Sequence, residues 1–212
     1  CSRHIDAEAE HTTVSTVPTA ELVKSAEGLF AKRTDAAKLK EAVAVLGKAR
    51  NPDKRHFEVE WKFAMFNYFL GKQTTDEAEA DKILRDGYAA GLIASRLEPA
   101  KADGYFWAGA NLGEQARRSP VTVGLKATSE IRTLMNKVIE LDPKYQGASA
   151  YDALAQLELA TRFTGGKPEK AIEYLEAALA LEKENSFIYL HLAEALIAVQ
   201  KRPEARKHLE FI

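Results

Sequence analysis

The stretch KPEKAIEYLEAALALE, residues 167–182, decides the fold, because it returns in softened form as KRPEARKHLEFI, residues 201–212. Lys167 aligns with Lys201, Ala171 with Ala205 and Leu175 with Leu209, each pair 34 residues apart. Strong helix formers fill both copies, and their apolar residues fall at helical spacing. Gly165-Gly166 and Pro203 punctuate them. A fixed period of this size marks units that stack on their neighbours to bury a continuous apolar face.

Between the two copies, Tyr189, Leu192, Ala193 and Leu196 precede Ala205 and Leu209. This order resembles the tetratricopeptide pattern Trp-x2-Leu-Gly-x2-Tyr followed by Ala-x3-Phe, in which large residues wedge between helices and small ones let backbones approach. Upstream the repeat stretches: Leu-Glu-Pro at 97–99, Leu-Asp-Pro at 141–143 and Leu-Glu-Lys at 181–183 are 44 and 40 residues apart. Helical periodicity fills 20–32, 35–50, 54–71, 76–97, 103–118, 121–141, 148–163, 168–182, 186–200 and 203–212. The expected fold is all-α, a tetratricopeptide-like right-handed solenoid of about five irregular helical hairpins. Residues 19–212 form its single domain, and residues 1–18, which lack an apolar stripe, form a flexible tether. The last helix stops at Phe211-Ile212 without a polar cap, so the chain is expected to continue.

Composition narrows the function. The chain is 46% hydrophobic and 29% charged, an ordinary globular balance. Thirty basic residues face 31 acidic ones, so no phosphate-binding footprint shows and nucleic acid is not the expected partner. The histidines His4, His11, His56, His191 and His208 do not fall at metal-ligand spacing, and Gly166-Lys167 lacks the rest of a phosphate loop. Neither a catalytic residue, a metal nor a cofactor is expected.

A family resemblance rests on Trp61, FWAGANLG at 106–113, LDPKY at 141–145 and GGKPEKA at 165–171. This order resembles the T-component of tetratricopeptide-associated TRAP transporters, the TatT-like lipoproteins, over residues 57–212. After LDPKY the chain departs from that family, reading QGASAYDALAQLELATRF. The resemblance implies association with a TRAP substrate-binding P-component and a hydrophobic small-molecule ligand. The sole cysteine is Cys1, followed by a serine, as in a mature lipoprotein sorted to an outer membrane. Lipidation at Cys1 and a site on the periplasmic face of the outer membrane are therefore expected, with membrane contact only through that anchor. The other reading is a structural adaptor lipoprotein in envelope assembly that binds peptides and no small molecule.

Candidate binding residues lie on the first helices of the hairpins. Phe63, Phe66 and Phe69 project together with Val59, Trp107 shares a face with Asn111 ahead of Glu114 and Arg118, and Phe187 lies beside His191 and Glu194. They line either a mostly apolar groove or the core beneath it. Gly109 and Gly113, four apart in GYFWAGANLG, are expected to form a notch where a neighbouring helix approaches closely.

Overall fold

The computed structural model describes residues 16–212. The expected lipidation site Cys1, His4, His11 and nearly all of the tether lie outside the described residues. Among those described the chain is helical throughout: α1 (Thr19–Phe30), α2 (Ala36–Gly47), α3 (Phe57–Gln73), α4 (Glu77–Leu97), α5 (Ala102–Arg118), α6 (Leu125–Leu141), α7 (Tyr145–Ala160), α8 (Pro168–Leu181), α9 (Ser186–Ala198) and α10 (Arg202–Leu209). Polar side chains start several of these helices. Asp35 accepts from the Ala37 and Lys38 amides, Asp76 from Glu79 and Asn185 from Phe187, satisfying N–H groups that the helix cannot. Short turns join consecutive helices into hairpins. A single π-helical turn, Pro120–Gly124, stands where the periodicity predicts the start of α6. Two compact units result, divided between Ala127 and Thr128.

In the first unit α3 packs against α2, α4 and α5. Its tightest seam lies between α4 and α5. A Cβ on Gly91 would stand 2.6 Å from the Ala108 amide nitrogen and 2.8 Å from its Cα. One on Gly87 would collide with the Asn111 carboxamide, and one on Gly104 with the Ser95 backbone. The expected notch does not extend to Gly113. Gly113 has nothing within 4 Å and so forms no such notch, Gly109 is buried in α5, and Gly87, Gly91 and Gly104 are glycines at which α4 and α5 approach closely.

Buried charge fixes the connections of this unit. Glu60 is fully buried, and its two oxygens accept from Arg50 Nε at 3.0 Å and Arg55 Nη1 at 2.8 Å, tying the α2–α3 loop to α3. Arg118 donates to the Gly71 and Thr74 carbonyls at 3.0 and 2.9 Å and pairs with Glu114 and Glu77. It thereby occupies carbonyls that the end of α3 leaves open.

The second unit is built on alanine and leucine. Ala148, Ala155, Ala171, Leu175, Ala178, Leu192 and Ala193 are among its buried residues, the small ones allowing close helix approach. α7 packs against α8 and α9, and α9 against α8 and α10. Glu158 is buried at the α7–α8 turn, where it accepts from Arg132 and, at 2.9 Å, from the Lys167 amide. Burial opposes its charge, yet these two donors win and hold its pKa below the usual carboxylate value. At the start of α7, Gln146, Gly147 and Ala148 all adopt left-handed backbone, with φ of 50°, 66° and 61°. This strained turn falls at the departure from the suggested family, and Asn185 donates to its Gly147 carbonyl.

Candidate functional site

The proposed binding residues separate into two groups. In the first unit they form core. Phe66 is fully buried, stacked on Phe30 with ring centroids 4.1 Å apart and planes 2° from parallel. Phe63 is buried under the Arg50 guanidinium, 4.3 Å from its ring centroid. Phe69 is half-buried, packed edge-on against Phe30 and 6.1 Å from Trp107. Trp107 is only 4% exposed. Asn111, fully buried, donates from Nδ2 to the Ala64 carbonyl at 2.9 Å and the Trp107 carbonyl at 2.7 Å, joining α5 to α3. The groove reading therefore fails for Phe63, Phe66, Trp107 and Asn111. Helical spacing puts these residues on one face, and the structure lays the neighbouring helices over that face.

One broad surface depression of about 420 Å³ lies at the starts of α3 and α5, lined by Arg55, His56, Phe57, Glu58, Glu98 and Lys101. Lys101 Nζ sits over the Phe57 ring at 4.5 Å, and both cationic and anionic side chains line the depression. Among the described residues no group of three His, Cys, Asp or Glu could hold a metal, and no helix is long and apolar enough to cross a membrane.

The second unit presents a different surface. α9, SFIYLHLAEALIA, is apolar on both sides. Ile188, Leu192, Ala193, Ala195 and Leu196 face the core, while Phe187, Leu190 and Ile197 stay 72%, 40% and 45% exposed. Charge distinguishes it from α8, whose exposed positions include Glu169, Glu173 and Glu176. With a period of 3.6 residues, Phe187, Leu190, Glu194, Ile197 and Ala198 share one outward stripe, and His191 borders it. At that border His191 Nδ1 meets Asp152 Oδ1 of α7 at 2.6 Å. The hydrogen bond to Asp152 raises the His191 pKa above its ordinary value; burial opposes this, and the charges of Asp152 and Glu194 add to it. Of the residues proposed from sequence, Phe187 and Glu194 lie on this stripe and His191 borders it. Leu190 and Ile197 were missed, although they follow from the same helical register.

The fold and this outward face define a helical-repeat protein of the tetratricopeptide type. The family model described as Regulator of microtubule dynamics protein 1-3 matches residues 22–212, and the chain belongs to that family. Among solved structures it is similar to TTC0263, a thermophilic TPR protein in Thermus thermophilus, at 17% identity over 90% of this chain and 88% of that one, with a TM-score of 0.64. It is also similar to MamA residues 41-end from Desulfovibrio magneticus RS-1, at 17% identity over 92% and 94% of the two chains with a TM-score of 0.58, and to another MamA structure, at 17% identity over 85% and 90% with a TM-score of 0.57. At these identities the likeness concerns the fold. Comparison with curated proteins gives no match. The tetratricopeptide class read from the 34-residue period stands, while the family description does not name the T-component that FWAGANLG suggested.

Proposed function

We propose that this protein is a non-catalytic adaptor whose second unit docks a segment of a partner protein on the outward face of α9. The observation that carries this reading is the solvent-facing row of Phe187, Leu190 and Ile197 on a helix that already buries its other side. Covering a fully exposed side chain of this size contributes about 1.5–3 kcal/mol, and Leu190 and Ile197, already partly covered, contribute proportionally less, so the row provides the apolar part of a docking site to which neighbouring contacts must add. Tetratricopeptide-like folds commonly serve protein partners, and the family's description, which concerns regulation of a protein polymer, fits a macromolecular partner. The small-molecule reading loses its support, because most of the aromatic residues offered for it are core.

The test is a displayed-peptide selection against the purified chain, followed by binding of the winners to the double variant Leu190→Ser, Ile197→Ser. Binding should fall at least about tenfold, with helicity and melting unchanged. Winners that bind the double variant as tightly as the native chain would refute the assignment of this face.

A finer role as a T-component at the bacterial envelope, with lipidation on Cys1, follows from the family resemblance that FWAGANLG carries. Metabolic labelling with palmitate tests the anchor: label should enter the native chain and not Cys1→Ser. An unlabelled native chain would remove both the anchor and the envelope location. Co-purification with a TRAP substrate-binding component tests the pairing itself.

A further inference from the structure

Glu194 stands at the centre of the exposed apolar stripe of α9. On the helix surface its neighbours at i−4, i−3, i+3 and i+4 are Leu190, His191, Ile197 and Ala198. Its side chain is exposed, and it forms no hydrogen bond or ion pair with the described residues beyond the field it exerts on His191. The other carboxylate at this border, Asp152, is already engaged by His191. Any partner that covers Phe187, Leu190 and Ile197 must take the Glu194 carboxylate out of water as well.

We propose that this face selects a cationic amphipathic segment, one that lays apolar side chains on Phe187, Leu190 and Ile197 and sets a lysine or arginine against Glu194. The inference rests on the docking role proposed above and names the partner's chemistry. A buried carboxylate without a counter-ion is strongly unfavourable, whereas a charge-assisted hydrogen bond from lysine or arginine restores what desolvation removes. Glu194 therefore contributes discrimination against other partners rather than raw affinity. A purely hydrocarbon surface would strand the carboxylate. A second copy docking through the same face about a twofold axis would bring two Glu194 carboxylates toward each other. An acidic segment would meet like charge.

The test uses the full chain and three short helical peptides of one apolar pattern, built on leucine with lysine, glutamine or glutamate at the polar positions. Fluorescence anisotropy should show the lysine peptide binding at least about tenfold tighter than the glutamate peptide. Glu194→Gln should reduce that preference to near unity, and Glu194→Lys should reverse it. Leu190→Ser with Ile197→Ser should abolish binding of all three. Equal binding of the three peptides, or a preference that survives Glu194→Gln, overturns the charge selection and leaves docking standing. Failure of every peptide to bind overturns both readings. Two further outcomes also overturn the proposal: concentration-dependent dimerisation lost in Ile197→Ser, and binding to phosphatidylcholine vesicles through the same residues.

Discussion

Replacing Gly91 by alanine should destabilise the first unit, although alanine is the better helix former. A methyl group there would lie 2.6, 2.8 and 2.9 Å from the nitrogen, Cα and Cβ of Ala108. Ordinary contact needs roughly 3.4 Å or more, so α4 and α5 must separate by about 0.8 Å, and the obstructing atoms cannot rotate aside as a long side chain could. Overpacking of this kind costs up to about 3 kcal/mol, while alanine's higher helix propensity returns about 1, leaving a net loss of up to about 2 kcal/mol. Gly113→Ala is the matched control: same exchange, open space, and an expected gain of up to about 1 kcal/mol. Both tryptophans of the chain, Trp61 and Trp107, belong to the first unit, so urea unfolding followed by tryptophan fluorescence reads it selectively. If Gly91→Ala is as stable as the native chain, α4 and α5 do not meet at that seam.

The remaining predictions concern charge. Because the pKa of His191 is raised on folding, the Asp152–His191 pair contributes stability that is fully present below the unfolded value, near 6.5, and lost as pH rises through the folded value. The melting difference between the native chain and Asp152→Asn should accordingly shrink on going from mildly acidic to alkaline pH, and a constant difference would contradict the pairing. Glu158 runs the other way: its pKa is lowered, so its contribution is present above the unfolded value and lost as pH falls through the folded one, and Glu158→Gln should flatten that part of the acid-stability profile. Glu60→Gln leaves two guanidinium groups facing a neutral amide. Since Arg50 and Arg55 retain some water, the loss should be about 2–3 kcal/mol by tryptophan fluorescence, under the range of a fully buried pair.

The helices were legible in the sequence because prolines, glycines and capping residues mark their ends and apolar spacing marks their faces. Asp35, Asp76 and Asn185 start helices close to where the periodicity begins. The repeat class was legible where Lys167, Ala171 and Leu175 recur at Lys201, Ala205 and Leu209. Which apolar face is covered was not. Periodicity put Phe63 and Phe66 on one side of α3, but Phe30, which stacks on Phe66, lies on another helix, and local spacing carries no record of that approach. The same limit hid the glycine seam: DGYAAGLIAS in α4 reads as a weak helix, and only the proximity of Ala108 and Asn111 shows why Gly87 and Gly91 are there. Conversely, the register that puts Phe187, His191 and Glu194 on one face of α9 also places Leu190 and Ile197 there, and only the packing of the opposite face shows that this one stays exposed.

The most direct test of the docking face is amide chemical-shift mapping of the full chain with the leucine–lysine helical peptide. The largest shifts should cluster at Phe187, Leu190, His191, Glu194 and Ile197 of α9 and at Asp152 of α7, while the Phe66–Trp107 core of the first unit stays unmoved. Shifts concentrated around Phe66, Phe69 and Trp107, with α9 silent, would contradict docking on that face.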